Sequence, residues 1–241
     1  MPFRQLPATD ATRTQAINAA VKKKATTTGA ALLVSPETAT ALDALAPKWV
    51  KETTERAAAL GAQTSATSSL NLHAATLRTV VSHFFQVYQL GVARGVFSPS
   101  GRALYELSVN EETLPETTTE ADLLLWAGRI VTGDPLRVVQ FSEPAMALPS
   151  AVEVSTALAA YNSQLAIQSG TKDSLATEQA DVTALRTEAD QVITDVWDEV
   201  EFSLRKLDAP ALRRRAREWG VLYALRPGEP EETTADPTPP A

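Results

Sequence analysis

The sequence contains no cysteine. Disulfides, thiolate zinc sites, iron–sulfur ligation and cysteine nucleophiles are therefore excluded, and the redox compartment is left open. Histidine occurs twice, as His73 and His83. Metal ligands must converge on one ion at about 2 Å, and on a single helix these two stand about 15 Å apart by rise alone. No Glu-x-x-His pair occurs, so the motif of helical di-iron proteins is missing. Glycine is scarce, at 10 residues. Neither the GxxxxGK[ST] phosphate loop nor GxGxxG is present. The run Gly95-Val96-Phe97-Ser98-Pro99-Ser100-Gly101 is not a GxSxG elbow and reads as a turn. No apolar run reaches the roughly 18 residues of a membrane span. No signal-peptide core follows Met1-Pro2-Phe3-Arg4, and the expectation is a soluble cytoplasmic protein without cofactor or metal.

What is present favours helices. The 241 residues are 44% hydrophobic, enough for a real core in one or two domains. Alanine makes up about one residue in six, which suits helix better than sheet. The 22 cations against 29 anions leave a net charge of −7, which argues against general nucleic-acid binding.

Capping signals and apolar spacing divide the chain. Thr9 or Asp10 starts a first helix that runs to about Thr27, and Gly29 ends it. Ser35-Pro36-Glu37 opens a long stretch in which Leu42, Leu45, Trp49, Leu60, Leu70, Leu77, Val81, Phe84 and Tyr88 alternate spacings of three and four. Ser150 opens another, carried by Leu158, Tyr161, Leu165, Val182, Leu185, Val192, Val196 and Val200. Both weaken in the middle, near Gly61 and near Gly170. Each is either one helix or a hairpin broken at that glycine. The heptad phase crosses both weak points without an insertion, which favours continuous helices. Antiparallel pairing would set the two weak middles side by side. The expectation is an all-α elongated bundle on two long antiparallel helices, about 36–94 and 150–206, with a small helical lobe, 95–149, between them.

Inside the lobe, Thr119-Glu120-Ala121-Asp122 caps a short helix through Ile130, which Gly133-Asp134-Pro135 ends; Leu136 to Phe141 forms a second piece. After the second long stretch, Asp208-Ala209-Pro210 caps a short helix to Trp219-Gly220, and Val221 to Leu225 reads as a lone strand. Residues 1–225 are read as one helical unit. Residues 226–241 hold five prolines, acids and threonines, and read as a flexible or partner-bound tail.

Candidate chemistry is thin. Asp195, Asp198, Glu199 and Glu201 share helix faces and read as a solvated acidic surface, with Trp197 as a packing anchor. His83, beside Phe84-Phe85, reads as a core or boundary residue. The densest basic run, Arg213, Arg214, Arg215 and Arg217, followed by Trp219, is the candidate partner-binding site. Lys22-Lys23-Lys24 is a second basic run.

The segments Phe84-Phe85-Gln86-Val87-Tyr88-Gln89-Leu90-Gly91, Val109-Asn110, Thr119-Glu120-Ala121-Asp122, Ile130-Val131-Thr132-Gly133-Asp134, Ala189-Asp190, Val196-Trp197-Asp198-Glu199-Val200-Glu201 and Ala216-Arg217-Glu218-Trp219-Gly220-Val221 resemble a set of uncharacterised, mostly helical proteins of Bacteroidota-type bacteria. The resemblance covers roughly 1–225 and implies one helical unit with no assigned activity. Some of those proteins continue after the Trp-Gly-Val-x-Tyr segment into an immunoglobulin-like β module, whereas this sequence continues into its proline-rich tail.

The functional expectation is a non-enzymatic structural protein that forms homo-oligomers through helical surfaces, with another protein as a second kind of partner. Residues 1–30 with 205–226 total roughly +9, and the lobe roughly −5, so head-to-tail contact into rings or filaments is one form of it. The rival is a monomeric ligand-binding protein or enzyme with a pocket in the lobe built on Arg102, Tyr105, Trp126 and Arg129.

Overall fold

Each α-helix starts just after a short polar side chain. The computed structural model describes residues 3–110 and 113–224. Thr9 caps α1 (Asp10–Ala25) through a reciprocal capping box with Thr12. The Ser35 hydroxyl accepts from the Thr38 amide at the start of α2 (Pro36–Ala93). Thr119 caps α3 (Glu120–Phe141), Ser150 caps α4 (Ala151–Leu204) and Asp208 caps α5 (Ala209–Arg217). The protein is all-α, 77% helical. Gly61 and Gly170 lie inside α2 and α4, so both long stretches are continuous helices rather than hairpins.

Two expectations need correction. Helix α3 does not stop at Gly133-Asp134-Pro135 but runs on to Phe141. Tertiary contacts outweigh the local breakers: a Cβ on Gly133 would lie 2.5 Å from the Leu104 carbonyl oxygen, so the helix packs there on a bare backbone. Asp134 and Arg137 are bonded into the core on the following turn. Nor is the segment after Trp219 a lone strand. Residues Tyr223–Ala224 (β2) pair antiparallel with Phe3–Arg4 (β1), with Phe3 opposite Ala224 and Arg4 opposite Tyr223. The proline-rich segment 226–241 lies outside the described residues.

The single unit and inserted lobe read from sequence are divided differently by the contacts, into two compact units: Met1–Ala58 with Ala176–Ala241, and Ala59–Leu175. Both long helices contribute to both units. In the first unit, Ile17 of α1, Leu42, Leu45 and Trp49 of α2, Val182, Val196 and Trp197 of α4, and Trp219 beyond α5 form the core. Antiparallel register there is marked by Ser35 against Glu199 and Lys48 against Glu188. Gly220, at φ +85°, lets the chain pass against the Ala16 backbone, where a Cβ would meet Ala16 O at 2.8 Å.

In the second unit, Leu77, Val81, Phe84, Phe85 and Tyr88 of α2 pack with Tyr105, with Leu123, Ala127 and Ile130 of α3, and with Val154 and Tyr161 of α4. The weak middles do meet here. Gln164 donates to the Ala66 carbonyl and Gln168 to the Thr67 hydroxyl, each at 3.3 Å. Small side chains at this height leave room for two glutamines to replace apolar knobs.

Candidate functional site

The second unit carries a cavity of about 620 Å³. Its wall is built by the last turns of α2, which contribute Gln86, Gln89, Leu90, Val92 and Ala93. A short 3-10 helix, Pro99–Tyr105, adds Pro99 and Arg102, and the following loop adds Val109, Asn110 and Leu114. The chain can turn back over α2 because Gly91 has no side chain: a Cβ there would stand 2.2 Å from the Phe97 ring. Phe97 then stacks on Tyr88, with ring centroids 5.5 Å apart. Arg102 is only 5% exposed. Its Nε donates to Ser108 O at 2.8 Å and its Nη2 approaches Thr113 O at 3.5 Å.

A second depression of about 370 Å³ shares Gln86 and Leu90 with the first and is lined further by Val80, His83, Val87, Leu148, Pro149 and Glu153. Leu148 is 79% exposed and Val152, one residue from Glu153, 74%. His83 thus stands exposed on the rim of this groove rather than in the core.

Of the four lobe residues read as a pocket, only Arg102 lines the cavity. Tyr105 is buried, and its hydroxyl donates to Asp134 Oδ1 at 2.9 Å. Burial, then the Asp134 charge, pushes the Tyr105 phenol far above its ordinary range. Arg137, fully buried, bonds Asp134 Oδ1 at 2.7 Å, Glu143 Oε2 at 2.7 Å and Pro144 O at 3.0 Å. Its guanidinium also lies 4.4 Å from the Phe97 ring centroid. Trp126 meets Phe85 edge-on, and Arg129 stacks on Trp126 while pairing with Glu106. These groups join the short 3-10 helix to α3 and line neither the cavity nor the depression beside it.

In the first unit the acidic helix face is more engaged than a solvated one. Glu199 accepts from the Ser35 hydroxyl at 2.9 Å and the Thr38 hydroxyl at 2.7 Å, as well as from the Ser35 amide. Burial alone would raise its carboxyl, but these three donors outweigh it and hold Glu199 below the usual range. Asp198 and Glu201 pair with Arg4, and Tyr223 donates to Glu201. Asp195 accepts from Gln191 and is exposed only in part.

The basic run occupies α5 and the turn after it. Arg213, Arg214 and Arg217 each have partners, and Arg215 is exposed. Trp219, grouped with them as a candidate contact, is 1% exposed and packs in the core, because the chain bends at Gly220 and carries the indole inward. Lys23 pairs with Glu218 and Lys24 with Asp43.

Two clusters escaped the sequence reading. Asp10 takes Arg186 at 2.8 and 2.9 Å, Arg56 at 2.6 Å and Arg13 at 3.5 Å. Its bonds to Arg186, against the opposing effect of burial, lower its pKa to about 2. Carboxylate oxygens of Glu52, Glu55 and Glu178 lie within 4.8 Å of one another. Lys51 already donates to Glu52 and Glu55, at 2.8 and 3.0 Å. Arg56 and Arg186 lie too far from Asp10 in sequence, and Glu178 too far from Glu52 and Glu55, for any local motif to join them.

Comparison with protein-family models, curated proteins and solved structures returns no match.

Proposed function

We propose that the chain is a non-enzymatic assembly protein that pairs with a second copy of itself through the groove on the second unit. The observation that carries this reading is a projection beside a recess. Leu148 and Val152 stand exposed next to a depression walled by Val80, Val87 and Leu90. A two-fold contact sets the projection of each copy into the recess of the other, so one surface supplies both halves of the fit. His83, Gln86 and Glu153 form the polar rim such a contact needs. The non-enzymatic part is supported by the fate of the most chemically equipped set, Tyr105, Asp134 and Arg137, which is spent on joining core elements.

Head-to-tail contact through charge has weaker support. Lys23, Lys24 and Arg4 already pair with carboxylates of the same unit. No helix among the described residues is long and apolar enough to cross a membrane.

Native mass measured across a concentration series tests the reading. The expected result is a dimer that persists in 1 M salt and falls to monomer when Leu148 and Val152 are both changed to Glu, with far-UV ellipticity unchanged. A monomer at every concentration rejects self-association. A dimer lost instead in salt, or on changing Arg213, Arg214 and Arg215 to Glu, replaces the apolar contact with the charged one.

A further inference from the structure

We propose that a groove in the first unit, between α1 and residues 221–223, receives an acidic, proline-rich peptide, and that its occupant is this chain's own segment 226–241. The groove holds about 350 Å³, and all the residues that line it belong to the one unit. Gln15 and Ala19, one turn apart on α1, form one side, and Val221, Leu222 and Tyr223 the other. Arg217 also lines it, with its guanidinium 5.6 Å from the Tyr223 ring centroid. Burial first, then the bond to Glu201, raises the Tyr223 phenol above its ordinary range. The charges of Arg213 and Arg4 oppose that shift, which places a second α5 cation near the ring. On α1 the exposed Lys22 continues the face of Gln15 and Ala19. Lys23 ties that end of the helix to Glu218, just after α5. The result is a strip of small and apolar side chains with cations along its margins.

Charge, composition and position identify the occupant. Segment 226–241 carries Glu229, Glu231, Glu232 and Asp236 against Arg226, a net −3, together with Pro227, Pro230, Pro237, Pro239 and Pro240. Arg213 and Arg217 already have partners, and it is their positive field along the groove that recruits the acids. Proline-rich segments bind by laying prolines into aromatic-lined grooves, and their restricted backbone loses little entropy in doing so. Tyr223 supplies the aromatic face here. The segment starts two residues beyond Ala224, the last residue of β2, and so enters beside the groove. Arg226-Pro227-Gly228-Glu229 has the proline–glycine signature of a reverse turn, which sends the acids at 229–232 back toward Arg217 and Lys22. Tethering decides between this copy and another. A short linker holds the segment at an effective concentration of order 1 mM, so a contact too weak to join two chains at micromolar concentration is filled within one.

The contact lies within the first unit and does not depend on self-association through the second. The chain has no cysteine, so Thr234→Cys gives a single attachment point for a nitroxide within the segment. Amide spectra of the tagged full chain at low salt then report which residues the segment approaches. An effective concentration near the dissociation constant fills the groove about half the time, so the amide signals of Ala19 and Lys22 should fall about twofold or more against the reduced tag. Exchanging Glu229, Glu231 and Glu232 for Gln touches no described residue and should restore those signals. A mixture of isotope-labelled untagged chain with unlabelled tagged chain should show no loss. The proposal is overturned if Ala19 and Lys22 keep full intensity in the tagged chain, or if the three glutamines leave the loss unchanged. An equal loss in the mixture also overturns it, since the segment then reaches a second copy.

Discussion

The two units handle their charges in opposite ways. In the first, ion pairs are distributed around a tryptophan-rich core: Asp10 gathers three arginines, Arg4 bridges two carboxylates, and Lys23 and Lys24 each hold an acid. In the second, the Arg137 network is sealed inside and Arg129 pairs with Glu106 at the edge, while valines and leucines stand outside. The contrast teaches that the first unit leaves few large apolar side chains outside, Phe202 the most exposed of them. The second presents exposed apolar side chains, Leu148 and Val152 among them, to whatever meets it, and for that reason carries the proposed dimer contact.

The largest effects should come from placing a carboxylate in either core. Leu77→Asp in the second unit and Val192→Asp in the first should each cost more than about 4 kcal/mol, since burying an unpaired charge is among the few single changes of that size. Tryptophan emission distinguishes the units. Trp49, Trp197 and Trp219 are all in the first core, so Val192→Asp should shift the emission far more than Leu77→Asp. Equal shifts would erase the contrast.

Next, Arg137→Ala should destabilise by about 3–5 kcal/mol, because Asp134 and Glu143 lose their shared cation in a buried setting. Denaturant unfolding measures it. A loss below about 1 kcal/mol would mean the network is not the point that closes the second unit.

A smaller effect belongs to Asp10. Its folded pKa of about 2 lies below the ordinary 3.8, so the carboxylate stabilises the fold at neutral pH, and that contribution disappears as pH falls from about 4 toward 2. Arg186 is partly exposed, so screening reduces the gain; Asp10→Asn should cost about 1–2 kcal/mol at pH 7 and flatten the acid limb of a melting-temperature profile. The smallest effect is expected at Lys24→Ala, within about 0.5 kcal/mol, because Asp43 faces solvent. A larger loss would show that the distributed pairs act as a network.

Much of the fold was legible because helix starts are local events. Thr9, Ser35, Thr119, Ser150 and Asp208 each cap the helix their position announces. Helix ends were less legible. Gly133-Asp134-Pro135 looks like a stop, but the bare backbone of Gly133 and the pairing of Asp134 turn it into a packing site, which no neighbour in sequence reveals. Strand β1 was missed because two residues have no periodicity, and its partner lies some 220 positions away. Of the candidate sites, Arg102 was singled out correctly as lining a cavity, while Tyr105, Trp126 and Arg129 were not. Arg102 and Tyr105 stand three apart on a 3-10 helix, a spacing that eclipses side chains, so only tertiary packing, which ties Tyr105 to Asp134, separates their roles.

The pairing of β1 with β2 has a consequence for synthesis. Every segment of the second unit lies between residues 59 and 175, so all its contacts are available once that stretch has left the ribosome. The first unit cannot close until Tyr223 and Ala224 reach Phe3 and Arg4, nearly the whole chain later. Chains released early should therefore contain a formed second unit and an open first one, and α1 should wait, with its apolar face uncovered, for α4 to arrive. Contacts of such long sequence separation also slow closure. Refolding followed by pulsed amide exchange should protect Leu77 and Ile130 before Ile17 and Val196.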